Sequence, residues 1–303
     1  MSRISGVGVA YASAAGALWG FSFIGPLLLT DAPPMLVAAG RYAAYGFASL
    51  IAMAALRSLR QAGSGWRDAL VLTLLGNLLY FVCLSAALQR AGVVLPTLII
   101  GMLPVTIPLA ACALERRRPN GYQLGGFGLT IAGTWLAHPQ PVGGYVAPDV
   151  AGGVLLAVLA LGLWTAYALS NARLLKHHHG ISGQTWSGMQ GATSLPFALA
   201  LGAIGGQAAF ATLDWSRFLI VSLVMGLFGS LLANSLWNAA SRHLQAAQLG
   251  PMIVAETLAG LLYGRIWSGV PWPTQTWLGA ALLVCGVLLA VRVDRPPPAP
   301  APV

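Results

Sequence analysis

Charged side chains are scarce in this sequence. Only 8% of its 303 residues are Asp, Glu, Lys or Arg, whereas a typical soluble domain has roughly 25%. Seven acidic and sixteen basic residues cannot cover a water-facing surface, so a soluble globular enzyme is excluded, and the 57% of hydrophobic residues excludes a disordered chain. The net charge of +9 comes from a shortage of acid rather than an abundance of base, so we expect no nucleic-acid partner.

Signatures of catalysis and of metal binding are also missing. The sequence has no GxSxG, HExxH or Walker A motif and no acidic pair within an apolar run. Cys83, Cys112 and Cys285 lie in apolar runs without a CxxC pair, which predicts small buried hydrophobic side chains rather than disulfides. We interpret His177–His179 as a solvated loop rather than a metal site. The sequence therefore predicts no enzyme, no cofactor and no bound metal.

Long apolar runs make up most of the sequence, and the mean hydropathy is +0.75. A spanning helix needs roughly 20 apolar residues. The runs are continuous rather than alternating, so they indicate helices and not a transmembrane barrel. The first run is too long for a cleaved signal peptide. The predicted spans are 6–29, 34–56, 67–89, 93–114, 120–138, 149–173, 182–205, 216–241, 246–266 and 273–293.

Basic residues in the connecting segments predict the orientation, because cytoplasmic loops carry an excess of Lys and Arg. With the N-terminus inside, twelve basic residues are cytoplasmic and three are external. The cytoplasmic ones are Arg3, Arg57, Arg60, Arg67, Arg116, Arg117, Arg118, Arg173, Lys176, Arg242, Arg292 and Arg295, and the external ones are Arg90, Arg217 and Arg265. We therefore expect a multi-pass protein of a bacterial inner membrane with both termini in the cytoplasm.

The chain contains an internal repeat. Residues 70–137 align with residues 223–290 without a gap, which places Gly76 on Gly229. Five spans in each half would make the second half enter the membrane from the opposite side, an inverted repeat typical of secondary transporters. The predicted fold is thus an all-α polytopic membrane protein with ten transmembrane helices. Its units are a first repeat (1–147), a second repeat (148–295) and a disordered, Pro-rich cytoplasmic tail (296–303).

Short motifs follow one another in order along each half. They are Leu18-Trp19-Gly20, Gly40-Arg41-Tyr42, Leu103-Pro104-Val105, Glu115, Gly126 with Gly133, Leu163-Trp164-Thr165-Ala166-Tyr167, Leu236-Trp237-Asn238, and Gly279 with Gly286. Together they resemble the EamA-type transporters of the drug/metabolite transporter superfamily, and the segment around Trp164 is similar to that of aromatic amino acid exporters. Two positions depart from the family pattern, with Thr257 replacing a proline and Ser268 a glutamate. The resemblance implies a carrier that exports small metabolites such as amino acids.

Four predicted spans carry aromatic and polar residues on one helix face, at spacings of three, four or seven. A buried amide in hydrocarbon must find a partner or line water, so these faces predict a central aromatic and polar cavity; interhelical hydrogen bonding is the alternative. The candidate substrate-binding residues are Trp19, Phe23, Asn77, Tyr80, Trp164, Tyr167, Asn234, Trp237, Asn238 and Glu256.

Glu256 is the acidic residue placed deep inside a predicted span. An ionised carboxylate there costs roughly 2.5 kcal/mol or more, so it indicates a functional site. It could bind a substrate ammonium group or carry a coupling proton, or it could be a neutral acid that is hydrogen-bonded to an amide. Arg41 could neutralise a substrate carboxylate, pair with Glu256 or extend to the membrane interface.

Helix breakers suggest where the chain bends or gates access: Pro96, Gly101 and Pro104 in the fourth span, and Gly250 and Pro251 at the ninth. The sequence thus predicts a carrier for small amphiphilic metabolites, favouring amino acid export. A drug-type efflux carrier for aromatic or cationic compounds, and a membrane-embedded enzyme or accessory protein without flux, remain alternatives. The expected partners are a small-molecule substrate, membrane lipid and a coupling proton, for a monomer or weak dimer.

Overall fold

The computed structural model describes residues 5–58, 65–137, 148–178, 180–205, 209, 211–243, 250–269 and 271–290. This part of the chain is helical and contains no strand. Its α-helices are α1 (Gly6–Gly20), α2 (Gly25–Leu28), α3 (Pro34–Ala55), α4 (Trp66–Leu72), α5 (Tyr80–Ala91), α6 (Val94–Ile100), α7 (Leu103–Leu114), α8 (Gly121–Leu136), α9 (Val150–His177), α10 (Gly183–Gly205), α11 (Trp215–Gly226), α12 (Ala233–His243), α13 (Val254–Ser268) and α14 (Thr274–Ala290). The tail after residue 290 lies outside the described residues.

Five helical runs of the described chain are long and apolar enough to cross a membrane. They are Gly6–Leu28, Pro34–Ala55, Trp66–Ala91, Val150–Asn171 and Trp215–Ala240. Helices α6 and α7 give a sixth if the pair, bent by 40° at its break, is one span. Length and hydropathy therefore support five or six spans, fewer than the ten predicted. The helices α8, α13 and α14 are shorter, with 16, 15 and 17 residues.

Large apolar side chains cover much of the outside. Ile51 is 70% exposed, Trp135 80% and Ile204 74%, which suits contact with lipid better than contact with water. The largest buried side chains include Tyr45, Phe23 and Phe81. The main core combines such rings with aliphatic side chains, and it includes residues of both halves, such as Phe23 and Met225.

Two wide helical turns mark equivalent places in the halves. A π-helical segment, Thr73–Leu79, joins α4 to α5, and a second, Leu227–Leu232, joins α11 to α12. The sequence repeat had aligned Gly76 with Gly229, and each glycine lies inside one of these segments. Such π-helical turns are often found at functional sites. The hydropathy pattern of the sequence did not predict either π-helical segment.

Glycines bring α8 and α14 into close contact. A methyl group at Gly126 would collide with the backbone carbonyl of Gly286, and one at Gly133 would collide with that of Gly279. The residue numbers rise along one helix as they fall along the other, so the two helices run antiparallel. Small residues allow helix backbones to approach closely within a membrane.

Contacts between polar side chains, one of them an ion pair, join the halves at equivalent positions. Arg217, in the first turn of α11, donates to Asp31 between α2 and α3 over 2.9 Å. Asp68, in the first turn of α4, lies 2.8 Å from His178 after α9. Burial acts to raise the pKa of Asp31, but hydrogen bonds from the backbone of Asp214 and from Arg217 lower it overall. Each pair therefore links the loop after the first long helix of one half to the start of the third in the other.

Candidate functional site

A cavity of about 470 Å³ lies among helices of both halves. Its lining combines aromatic rings, amides, hydroxyls and two charged groups. The lining residues are Trp19, Ser22, Arg41, Tyr42, Gly76, Asn77, Tyr80, Ile107, Trp164, Tyr167, Ala168, Asn171, Gly183, Trp186, Ser187, Gln190, Gly229, Ser230, Asn234, Trp237, Asn238, Ile253 and Glu256.

The structure brings together nine of the ten candidate residues from the sequence. The nine that line the cavity are Trp19, Asn77, Tyr80, Trp164, Tyr167, Asn234, Trp237, Asn238 and Glu256. Phe23 does not line it. Its ring is fully buried in the core and packs against the Gly260 backbone of α13. The 3-10 turn Phe21–Phe23 that follows α1 interrupts the helical spacing on which its assignment rested.

Aromatic pairs form the apolar walls. The ring centroids of Trp19 and Trp237 lie 5.2 Å apart, and those of Trp164 and Tyr167 lie 5.7 Å apart. Both separations suit favourable tilted ring contacts. A methyl group at Gly76 would collide with the Tyr167 ring, so this glycine in the first π-helical segment makes room for that ring.

Helix α10 contributes amide and indole groups that the sequence interpretation missed. Asn171 accepts hydrogen bonds from the Trp186 indole over 2.7 Å and from the Gln190 amide over 3.3 Å. The Tyr167 hydroxyl donates to the Gln190 side-chain oxygen over 3.0 Å. Trp186 and Gln190 are four residues apart on one helix face, so the spacing rule used for the other spans would have found them if applied to the seventh.

Asn238 fits both of its sequence interpretations. Its amide nitrogen donates to the Gly183 carbonyl and to the Ser187 hydroxyl, each over 3.0 Å. These bonds attach α12 to α10, as the interhelical alternative expected. The same residue also lines the cavity, with an amide oxygen that has no hydrogen-bond donor among the described residues.

Glu256 lies in the first turn of α13, directly after the 3-10 turn Gly250–Ile253. It faces the cavity, and its carboxylate forms no hydrogen bond or ion pair within the described part of the chain. The amide partner that the hydrogen-bonded alternative required is therefore not found among the described residues. A carboxylate with free lone pairs can accept a proton or bind a cation.

Arg41 is the second charged group of the cavity. The sequence allowed it to reach the membrane interface, but the residue is only 6% exposed. It forms no ion pair with Glu256 or with any other described carboxylate. Its guanidinium donates to the hydroxyls of Ser22 and Ser230 and to the carbonyl of Gly229.

The predicted helix breakers lie at a bend, at helix starts and in a 3-10 turn. Gly101 occupies the break between α6 and α7, Pro104 begins α7, and Pro96 lies in the first turn of α6. The backbone of Gly250 and Pro251 forms the 3-10 turn before Glu256. These positions agree with kinks; the predicted gating role stays a prediction.

The histidine tract differs from the expected solvated loop. His178 contacts Asp68 and its ring lies 5.4 Å from that of Trp186; His179 and the His177 side chain lie outside the described residues. No cluster of three or more His, Cys, Asp or Glu side chains in the described ranges could hold a metal. Among the cysteines, only Cys112 is fully buried, and Cys285 is exposed on α14.

Known proteins resemble this chain in sequence and in fold. "Inner membrane protein YtfF" of Escherichia coli (strain K12) is 37% identical, covering 96% of this chain and 97% of that protein. "Uncharacterized transporter YwfM" of Bacillus subtilis (strain 168) is 25% identical, covering 88% of this chain and 86% of that protein. A solved crystal structure is similar in fold, with a TM-score of 0.69 and 18% identity over 93% of this chain and 96% of that chain.

The model of the EamA-like transporter family matches the chain twice, over residues 6–138 and 151–292. The two matches correspond to the two halves found from the sequence repeat, and their boundary falls in the segment that the structure leaves undescribed. With an all-helical fold, several apolar helices and a cavity between its halves, the chain belongs to the EamA-like transporter family and is a membrane transporter.

Proposed function

We propose that this protein is a secondary carrier that exports amino acids across the cell inner membrane by alternating access. One observation supports the proposal most strongly: aromatic rings, amides, a basic group and an acidic group from both halves line a single cavity, and the basic and acidic groups form no ion pair among the described residues. An amino acid with an apolar side chain offers the complementary groups. Its side chain would lie against Trp19, Trp164 and Trp237, and its ammonium group would meet Glu256.

The proposed architecture has ten spans in two inverted halves. The antiparallel contact of α8 with its repeat equivalent α14 supports inversion, because halves related by an axis along the membrane normal would hold equivalent helices parallel. The π-helical segments at equivalent places support the same repeat. In this arrangement both termini are cytoplasmic, as the distribution of basic residues predicts.

Alternating access requires that the cavity open to one side at a time. The proposed moving parts are the bent α6–α7 pair in the first half and the 3-10 turn directly before the helix of Glu256 in the second. Glu256 is also the residue that we propose for proton coupling. A carboxylate that has no hydrogen-bond or ion-pair partner among the described residues can exchange a proton for a substrate cation during the cycle.

A Glu256→Gln substitution tests this function, since it keeps the shape of the side chain and removes its charge. We expect amino acid flux into proteoliposomes to fall about tenfold to a hundredfold, because a hydrogen bond to a charged partner contributes roughly 1.5–3 kcal/mol. Thermal stability should hardly change. The matched control is Glu115→Gln, at an exposed glutamate paired with Arg117, and it should transport normally.

Wild-type flux by the Glu256→Gln variant across pH 5 to 8 would contradict the assigned role of Glu256. Parallel loss of flux and thermal stability would indicate a structural residue instead. Wild-type proteoliposomes that exchange aromatic cations but no amino acid would favour the drug-type efflux carrier.

A further inference from the structure

Arg41 is held in place by neutral groups. Its Nε donates to the Ser230 hydroxyl over 3.0 Å, one terminal nitrogen to the Ser22 hydroxyl over 2.8 Å, and the other to the Gly229 carbonyl over 3.0 Å. Three contacts from two other helical runs fix the plane of the guanidinium group. None of the three acceptors carries a charge, so the positive charge of Arg41 is oriented but not neutralised.

The second π-helical segment supplies two of these acceptors. Gly229 and Ser230 both lie within Leu227–Leu232, where the wide turn displaces carbonyl groups from the usual helical hydrogen-bond pattern. The Gly229 carbonyl can therefore accept from Arg41. The irregular backbone thus has a specific consequence, namely a rigid position for the one buried cation of the described cavity lining.

Two aromatic rings lie close to the guanidinium. Its central carbon lies 4.2 Å from the centroid of the Phe81 ring and 5.4 Å from that of Tyr42. Ring faces attract a cation without neutralising it. No carboxylate of the described residues lies within ion-pair distance of this buried charge, and a buried charge without a direct ion pair is unfavourable, so an anion that enters from the cavity would complete the site.

We propose that Arg41 is the anion anchor of the transport site and binds the carboxylate of the substrate. A guanidinium has five N–H donors, and the three protein contacts leave one on each terminal nitrogen. Two such donors match the two oxygens of a carboxylate. The Ser22 hydroxyl accepts from Arg41 and has no acceptor among the described residues for its own proton, so it supplies a third donor.

This assignment rests on the proposed carrier function and narrows its substrate class. With Glu256 as the group that meets the ammonium, Arg41 makes the cavity selective for zwitterions that carry an apolar side chain. A compound with only a cationic group would place a second positive charge in the cavity with Arg41. The anchor therefore disfavours the cationic compounds that a drug-type efflux carrier would move.

The test compares ligands that differ only at the carboxylate. Purified protein in detergent is titrated with L-phenylalanine, L-tryptophan and L-leucine, each beside its amide and its decarboxylated amine, and thermal stabilisation is measured. For the wild type, we expect at least one amino acid to bind about tenfold to a hundredfold more tightly than its amide and its amine, the range for a charged hydrogen bond. Counterflow in proteoliposomes is measured with the same compounds.

Two variants separate anchoring from folding. Arg41→Gln should bring the affinity ratio of acid to amide close to one, whereas Ser22→Ala, which keeps the buried cation, should lower the same ratio only about threefold to tenfold. The matched control is Arg117→Gln, at an exposed arginine outside the cavity, and it should keep the wild-type ratio. If Arg41→Gln does not fold, the affinity ratio of acid to amide in Ser22→Ala decides whether the anchor proposal holds.

The outcomes distinguish a failure of the anchor proposal from a failure of the carrier function. Equal binding of acid, amide and amine by the wild type, or an unchanged ratio in Ser22→Ala and Arg41→Gln, would overturn the anchor even if flux is normal. Carboxylate-dependent binding that is lost in Arg41→Gln, in a protein that shows no counterflow, would support the anchor and contradict the carrier function.

Discussion

Gly76 shows how a single missing side chain shapes the site. The Tyr167 ring occupies the space where a Cβ at position 76 would lie, and its hydroxyl is fixed by Gln190. The first π-helical segment therefore presents a flat backbone surface to an aromatic wall of the cavity. Any side chain at this position would move the ring or the helix.

Gly76→Ala is expected to weaken substrate binding and to destabilise the protein by about 1–3 kcal/mol, the usual cost of inserting a methyl group into a packed site. Thermal unfolding in detergent and counterflow measure the two effects. Gly162→Ala in α9 is the control, because nothing lies within 4 Å of a Cβ there. Equal stability and flux in the two variants would show that Tyr167 has room to move.

Residue spacing predicted the site well where helices are regular and less well where they are not. Trp164 with Tyr167, and Asn234 with Trp237 and Asn238, face the cavity as the three- and four-residue spacing implied. Phe23 does not, because a 3-10 turn rotates it into the core. Arg41 could not be placed from the sequence, because its partners Ser230 and Gly229 lie nearly two hundred residues away.

At the scale of elements, the contact between α8 and α14 depends on four glycines. Added methyl groups at Gly126 and Gly279 would meet backbone atoms, which cannot move as a flexible side chain can. Hydropathy identified these helices as apolar, and the repeat aligned their glycines, but neither pattern could show that the two helices touch. Contacts between distant helices depend on how the halves associate.

Gly126→Ala and Gly279→Ala should each lower stability by about 1–3 kcal/mol through loss of close packing, and by similar amounts because the alignment makes the positions equivalent. Thermal unfolding in detergent measures the change. Gly128→Ala on the same helix α8 has open space around its Cβ and should be neutral or slightly stabilising. A neutral Gly126→Ala variant would mean that the helices can separate at little cost.

At the scale of the whole molecule, the sequence contains an internal repeat, and the basic residues of its loops predict the orientation in the membrane. The repeat was detectable because glycines keep their register without a gap over three predicted spans. The ten-span count depended on hydropathy alone, and helices such as α13 fall short of a full crossing by length. The polar residues of α10, including Gln190, face the cavity, and they lower the hydropathy of this helix.

Single cysteines test the proposed topology. In a background without native cysteines, a membrane-impermeant thiol reagent applied to whole cells should label Gly143→Cys and not Gly180→Cys, because twelve of the fifteen loop basic residues lie on the side of Gly180. Gly143 lies outside the described residues, and Gly180 is exposed beside His178. Labelling in lysed cells controls for reactivity. The opposite pattern would reverse the orientation.

The reciprocal glycine contacts have the form of an interface between two identical subunits. In a two-fold homodimer, residue i of one subunit meets residue j of its partner, and residue j meets residue i. Here Gly126 meets Gly286 while Gly133 meets Gly279, and the sequence aligns Gly126 with Gly279 and Gly133 with Gly286. The contact between α8 and α14 therefore has the geometry of an isologous dimer contact whose two sides belong to one chain.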